Sequence, residues 1–448
     1  MLHPAAGMTT ILTGATLLPC TAGMPVIAGG FVAVAGGTIL AVGAGPPPAI
    51  AAAEVIDTGG DIVMPGMVNP HSHLAMSLFR GLGEDVDDRL FRYILPLERA
   101  LVSPAMVAAG TALSALELIE GGVTCVADMY YFETEVARVL DAAGLRAVVG
   151  QTLADFDPPD HRDLDAGFAR LDELVDGWAG HPRITPGAAP HAPYSTGMAG
   201  MERVARWAAD HPGLPVQMHL AETDDETAWA ARLHGLSPVA AADAAGLLRP
   251  GLVAAHALHL APDDIARIAA SGAGVAHCAR ANAKGGRGIA PVTALRAAGV
   301  PVGIATDGPM SGNTLDLFAQ FAPVAMLQKL AGRSRKPMPA VEVIRMATIE
   351  GARVLGLAAR IGSLEPGKQA DLIRVSLAAP RMQPVYDPYA ALVFSAMAPD
   401  VRDTMVAGRW LMRDRTVLSV ERARVLADAA QFAGRFRAAM ARIDAAAG

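Results

Sequence analysis

Two histidines one residue apart, His71 and His73 in VNPHSHLAM, follow an apolar run that closes at Pro65-Gly66. Side chains alternate along a strand, so His71 and His73 project together while Ser72 points the other way. Two imidazoles leaving one strand end make a pincer for a borderline-soft divalent cation such as zinc. A catalytic zinc site needs three or four protein ligands and one position open to water. His219 and Asp307, at the ends of two later apolar runs, complete such a set. Glu222, just beyond His219 in HLAE, can take a proton from water and deliver it to a substrate. His256 in AAHALHL suits a hydroxide-orienting or ligand-supporting role. His259 reads as structural, and His277 and Asn282 stay open between structure and function. The acidic run at Asp224, Asp225 and Glu226 reads as a solvated loop.

Such residues need a scaffold that gathers strand ends. From Gly66 to about Gly356 short apolar segments alternate with helical ones. The strand candidates are GMVNPH, VTCVADM, RAVVGQTL, RITPGAAP, PVQMHL, LVAAHAL, GVAHCA and PVGIATD. One intervening helix is clearly punctuated, with Ser103 as N-cap, Pro104 at the first position and Gly121-Gly122 as the stop. Eight β-then-α units predict a (β/α)8 TIM barrel, whose chemistry sits at the C-terminal ends of the strands. A doubly wound sheet is the competitor, but no Gly-rich phosphate turn follows the first strand. Short strands and Gly-rich turns fill the first sixty residues, and β texture returns from Ile361. The two ends predict a small β-sandwich. The division is 1–65 and 361–420 for the sandwich, 66–360 for the catalytic barrel and 421–448 for a helical tail.

The totals narrow the function class. A formal net charge of −7 over 448 residues argues against nucleic acid or an anionic membrane as partner. Three cysteines with no CxxC pair fit a reducing, cytoplasmic setting and exclude a disulfide framework or a cysteine zinc knuckle. Residues 1–53 hold no Asp, Glu, Lys or Arg. Gly and Pro nevertheless interrupt every apolar run there before about 18 residues, and no positive region opens the chain, so neither a signal peptide nor a span is expected. Met8 is an equally good start, so the first seven residues need carry no structure. The four lysines, Lys284, Lys329, Lys336 and Lys368, all lie beyond the sixth barrel strand. No lysine on strands one to six can bridge a metal pair, and a single metal is expected.

PGMVNPHSH, PHAPYS, MHLAE, AAHALHL, ATDGPMSGNTLDL, ATIEGARVLG and GSLEPGKQADL occur in this order and nearly span the chain. Together they resemble the amidohydrolase superfamily, in its mononuclear deaminase and chlorohydrolase branch. MSLFRGLGEDV, ILPLE and VADMYYF narrow the likeness to 5-methylthioadenosine/S-adenosylhomocysteine deaminases. The resemblance implies a barrel with a β-sandwich built from both chain ends. It implies zinc or iron on His71, His73, His219 and Asp307, with Glu222 as proton shuttle and His256 beside the attacking hydroxide. It implies Glu98 facing ribose hydroxyls, His191 and Ser311 on the substrate, and a homo-oligomer. The expected reaction is deamination of a 5′-modified adenosine with release of ammonia; the alternatives are a free purine or pterin base, or a chlorotriazine. Two departures matter. RANAKGG, Arg280 to Gly286, puts Ala281 and Gly285 where family members line the substrate mouth. Gln151 stands where an arginine can hold a homocysteine carboxylate, with Arg162 the candidate replacement. Both point away from S-adenosylhomocysteine and towards a smaller substrate.

Overall fold

The computed structural model describes residues 9–50 and 53–447; the first seven residues lie outside them. The N-terminal strands are β1 (Thr10–Leu17), β2 (Ile27–Ala35), β3 (Thr38–Ala44), β4 (Glu54–Asp57) and β5 (Ile62–Pro65). Eight strands follow: β6 (Met67–Ser72), β7 (Val123–Tyr130), β8 (Arg146–Leu153), β9 (Ile184–Pro190), β10 (Val216–Leu220), β11 (Leu252–His256), β12 (Gly274–His277) and β13 (Val302–Ile304). The C-terminal strands are β14 (Leu372–Val375), β15 (Val401–Val406), β16 (Arg409–Arg413) and β17 (Thr416–Val417).

β6 to β13 form one parallel sheet in sequence order, and each of the eight predicted runs supplies one strand. Nearly every strand residue is buried, as expected when helices cover the outside and side chains fill the inside. Side chains sew β13 back to β6. The Asn69 amide donates to Thr306 Oγ1 at 2.8 Å, and its oxygen accepts the Thr306 N–H at 3.2 Å. The Asp307 N–H then reaches the His71 carbonyl at 3.3 Å. The first and last strand ends, which carry His71 and Asp307, are thereby neighbours.

The two β-rich ends combine into one mixed sheet in the order β17-β16-β15-β14-β5-β1-β2-β3, with β4 on β1. The chain halves meet at the antiparallel β5–β14 pair, from Leu372 opposite Pro65 to Val375 opposite Ile62. This sheet curls over its own apolar core, which includes Leu12, Leu17, Val32, Ile39, Val63, Leu372 and Met405. Gly66 is the step from this sheet into the barrel. A β-carbon there would lie 2.1 Å from the Thr124 side chain, so only glycine passes.

The helix Pro104–Glu120 begins as read, with the Ser103 hydroxyl accepting the Met106 N–H at 3.3 Å. It braces the turn after His73: Ser114 donates to the Leu74 carbonyl at 2.6 Å, and Ser77 to the Gly110 carbonyl at 2.7 Å. A β-carbon on Gly110 would sit 2.3 Å from the Ala75 oxygen, so this approach also needs glycine. The C-terminal helix Arg422–Ala447 docks nearby, Phe436 meeting Phe79 edge-on at 4.6 Å between ring centres. No single described helix is long and apolar enough to cross a membrane.

Candidate active site

His71 and His73 leave β6 on the barrel axis. Ser72 points outward, donating to the Ala127 carbonyl at 2.9 Å and to Asp128 Oδ1 at 3.1 Å. Asp128 also takes the Leu74 N–H at 2.6 Å, so one buried carboxylate holds the Ser72 side chain and the Leu74 backbone on either side of His73. The His73 ring commits Nδ1 to the Met129 carbonyl at 2.6 Å, and the His219 ring commits Nδ1 to the His191 carbonyl at 2.8 Å. A carbonyl only accepts, so each Nδ1 carries the proton and each Nε2 presents a lone pair. Those two Nε2 atoms face each other at 3.2 Å. Asp307 Oδ1 lies 3.2 Å from His73 Nε2 and 3.8 Å from His71 Nε2. Both nitrogens of His71 are buried with no hydrogen-bond partner. The ligand atoms of His71, His73 and His219 all fall within 4.8 Å of one another.

Converging lone pairs, a carboxylate and an orphaned buried imidazole fit a divalent cation. The electrostatics agree. Burial, then the neighbouring His73, drives His71 well below its ordinary value; burial, then His191, does the same to His219. Both rings are therefore held neutral, the form that can ligate a cation. Burial alone would raise the Asp307 carboxyl, but the His73 hydrogen bond and the surrounding imidazoles hold it well below the carboxylate range. A second grouping joins His71 to His256 and Cys278. Burial raises the Cys278 thiol well above its usual value, which makes it a poor ligand at neutral pH.

Glu222 stands just past His219. Its Oε1 lies 3.5 Å from His256 Nε2 and is paired with the Arg287 guanidinium. His256 gives its Nδ1 proton to Asn282 Oδ1 at 2.8 Å, so its other nitrogen faces the site as an acceptor. The backbone is left-handed at Ala221 (φ 53°), His256 (φ 71°) and Asp307 (φ 61°). Such conformations cost roughly 1–3 kcal/mol each and persist where function requires them. Glu226 departs from expectation. It is 1 % exposed rather than solvated, and its carboxylate accepts the N–H groups of Ala221 at 2.9 Å and Glu222 at 2.8 Å. Thr223 is the N-cap, its hydroxyl accepting the Glu226 N–H at 3.1 Å, and the Thr-x-x-Glu pattern could have revealed this helix start. Asp224 and Asp225 are exposed as expected.

Around the mouth, Glu98 is buried and accepts the Tyr130 hydroxyl at 2.7 Å. Burial pushes its carboxyl up to about 7, against the lowering effect of that hydrogen bond and of His73. His191 hands its Nδ1 proton to Ser195 Oγ at 2.7 Å, and burial pushes its pKa down to about 4. Its ring centre is 4.9 Å from that of His219. Ser311 lies just beyond Asp307 in the short turn Pro309–Gly312 and is half-buried. Gln151, at the end of β8, is spent on Asp160 Oδ2 at 2.9 Å and the Thr152 carbonyl at 3.1 Å. Arg162 is 87 % exposed and paired with Asp163, so it does not take the place of an arginine at Gln151. His277 is buried, with neither ring nitrogen partnered. Asn282 is resolved as the partner of His256, and His259 pairs with exposed Asp224 at 3.3 Å. Sequence reading missed Arg287, Asp128 and Tyr130.

Comparison with known proteins follows the same lines. The profile described as "Amidohydrolase family" matches residues 62–411. The 5-methylthioadenosine/S-adenosylhomocysteine deaminase of Syntrophobacter fumaroxidans is 40% identical over 397 residues, 87% of this chain and 90% of that protein. A zinc-bound adenosine deaminase from Xanthomonas campestris superposes with a TM-score of 0.93 at 36% identity, over 96% of this chain and 99% of that one. The zinc complex of atrazine chlorohydrolase from Arthrobacter aurescens TC1 gives a TM-score of 0.88, over 95% of this chain and 100% of that one. At 21% identity, the latter shows the shared fold alone. On its fold and on these likenesses, the chain belongs to the amidohydrolase family.

Proposed function

We propose that this protein is a metal-dependent hydrolytic deaminase of an aminated heterocycle, with a small 5′-modified adenosine such as 5′-methylthioadenosine as substrate. The observation that supports it most is one carboxylate, Glu222, standing beside His256 at the rim of the His71, His73, His219 and Asp307 cluster. Those four residues would hold one divalent ion, zinc in this reading with iron as second choice. Such an ion makes water acidic enough to act as a nucleophile near neutral pH.

Glu222 accepts the proton released from water and passes it to the ring nitrogen next to the amine-bearing carbon. That carbon becomes electrophilic, and the water oxygen bonds to it. His256 orients the attacking oxygen through the ring nitrogen that Asn282 leaves free. Asp307 shares the proton load. Glu222 then takes the proton still on the added oxygen and moves it to the amine, the carbon–nitrogen bond breaks, and ammonia leaves a ring carbonyl behind. Glu98, buried beside Tyr130, would receive ribose hydroxyls, and His191 and Ser311 would contact the substrate. Gln151 would line the far end. With Gln151 spent on Asp160 and Arg162 in solvent, neither offers a cation to a homocysteine carboxylate. That favours 5′-methylthioadenosine over S-adenosylhomocysteine.

The names carried by the Syntrophobacter and Xanthomonas relatives support an adenosine-type substrate. We also propose a homo-oligomer, on the resemblance alone, and a cytoplasmic setting, which the three buried free cysteines suit. The test is a panel of adenosine derivatives, purine bases, pterins and chlorotriazines, read by ammonia and chloride release. Fastest ammonia release from 5′-methylthioadenosine is expected. Chloride release from chlorotriazines without ammonia from any nucleoside would overturn the reading.

A further inference from the structure

One short segment after β12, the helix Ala279–Lys284 and the turn that follows it, supports both proton-handling side chains. Asn282, 1 % exposed, fixes the His256 ring from that helix. Five residues on, Arg287 pairs with Glu222 Oε1, the oxygen that faces His256. The two supports are tied together, since the Arg287 N–H donates to the Asn282 carbonyl at 3.0 Å. Gly286 and Gly288 flank Arg287 with φ of +65° and +110°, values that L side chains rarely adopt. Lys284 anchors the segment across the mouth, bonding Glu84 at 2.6 Å and Asn313 at 2.9 Å. Packing does not explain an arginine here, because its side chain is 32 % exposed. The chemistry set out above does not use it.

We propose that Arg287 is a positioning residue for Glu222. A glutamate side chain has three rotatable bonds, and holding it in one geometry costs rotamer freedom. The guanidinium makes a charge-assisted bond to one carboxylate oxygen before substrate arrives. In this reading the other oxygen stays available to a ring nitrogen of the substrate. A misplacement of about 1 Å in such a group can cost on the order of 10²-fold in rate. The inference rests on the reading of Glu222 as proton shuttle.

The experiment uses metal-loaded full-length protein with 5′-methylthioadenosine as probe. Arg287→Met should lower kcat by roughly 10²-fold while KM moves little. Arg287→Lys should recover part of the loss, and added methylguanidinium should rescue Arg287→Ala. Zinc content, the circular dichroism spectrum and affinity for the deaminated product should stay at wild-type values. Unchanged kcat in Arg287→Met would overturn the proposal. So would a raised KM at constant kcat, which would make Arg287 a substrate contact. If Arg287→Met fails to fold, the Lys variant and the methylguanidinium rescue decide the matter, and absence of both recoveries counts against it. Glu222→Gln is run alongside. Full activity there sinks the shuttle reading itself, whereas an inactive Glu222→Gln beside a normal Arg287→Met sinks only the positioning role.

Discussion

His73 Nε2 and His219 Nε2 face each other at 3.2 Å, and each ring already donates its Nδ1–H to a backbone carbonyl. Two lone pairs at that separation repel unless a proton or a cation lies between them. Burial works against a proton on His73, but the hydrogen bond and charge of Asp307 raise its pKa to about 9. The attraction that draws a proton there would draw a divalent ion more strongly. His219→Ala should therefore keep its fold and lose metal affinity by at least about 10–100-fold, the scale on which even supporting residues act. Plasma emission analysis after gel filtration checks this. Wild-type metal retention in the variant would remove His219 from the ligand set.

Glu222→Gln keeps the size of the side chain and removes its ability to cycle a proton. The metal should remain, and kcat should fall by about 10²–10⁴-fold, the usual contribution of general acid–base catalysis. Metal analysis and steady-state ammonia release on one preparation make the comparison. Near-normal turnover would take Glu222 out of the mechanism.

Burial raises the Glu98 carboxyl to about 7. Ionised, it offers two acceptor oxygens, one already taken by Tyr130; protonated, it loses acceptor capacity. Affinity for a ribose diol should then fall as pH drops through about 7, so KM for a nucleoside rises on the acid side. Glu98→Gln should raise KM and flatten that dependence. A wild-type KM constant between about pH 6 and 8 would contradict the assignment.

Arg146, at the start of β8, forms a two-point ion pair with Asp371 at 2.9 and 3.2 Å, and both side chains are at most 2 % exposed. That pair ties the barrel to the small sheet, where Asp371 also accepts the Ala407 N–H at 2.7 Å. Asp371→Ala would strand a buried guanidinium and should cost about 3–5 kcal/mol. Adding Arg146→Met should recover part of that. Urea midpoints of both variants measure it, and a loss below about 1 kcal/mol in the single variant would show the pair to be solvated.

Much of this arrangement is legible in the residues because strand geometry is local. Alternation alone puts His71 and His73 on one face and Ser72 on the other, and barrel topology gathers the ends that carry His219 and Asp307. Contacts made between loops are not legible in this way. Arg287 meets Glu222 across 65 residues of sequence, and no periodicity marks the pair. Asn282 sets the His256 tautomer from the short helix after β12, across 26 residues of sequence that no periodicity links. Glu226 escapes sequence reading for another reason: a run of acidic residues looks solvated by composition, while the N-cap geometry at Thr223 folds one of them inward.

The most direct measurement is turnover before and after the metal is stripped. As isolated, the protein should carry one equivalent of zinc or iron per chain and release ammonia from 5′-methylthioadenosine. Exhaustive chelation should abolish that activity, and one added equivalent of zinc should restore it. Equal turnover by protein shown to be metal-free, or a second equivalent required for activity, would contradict the account.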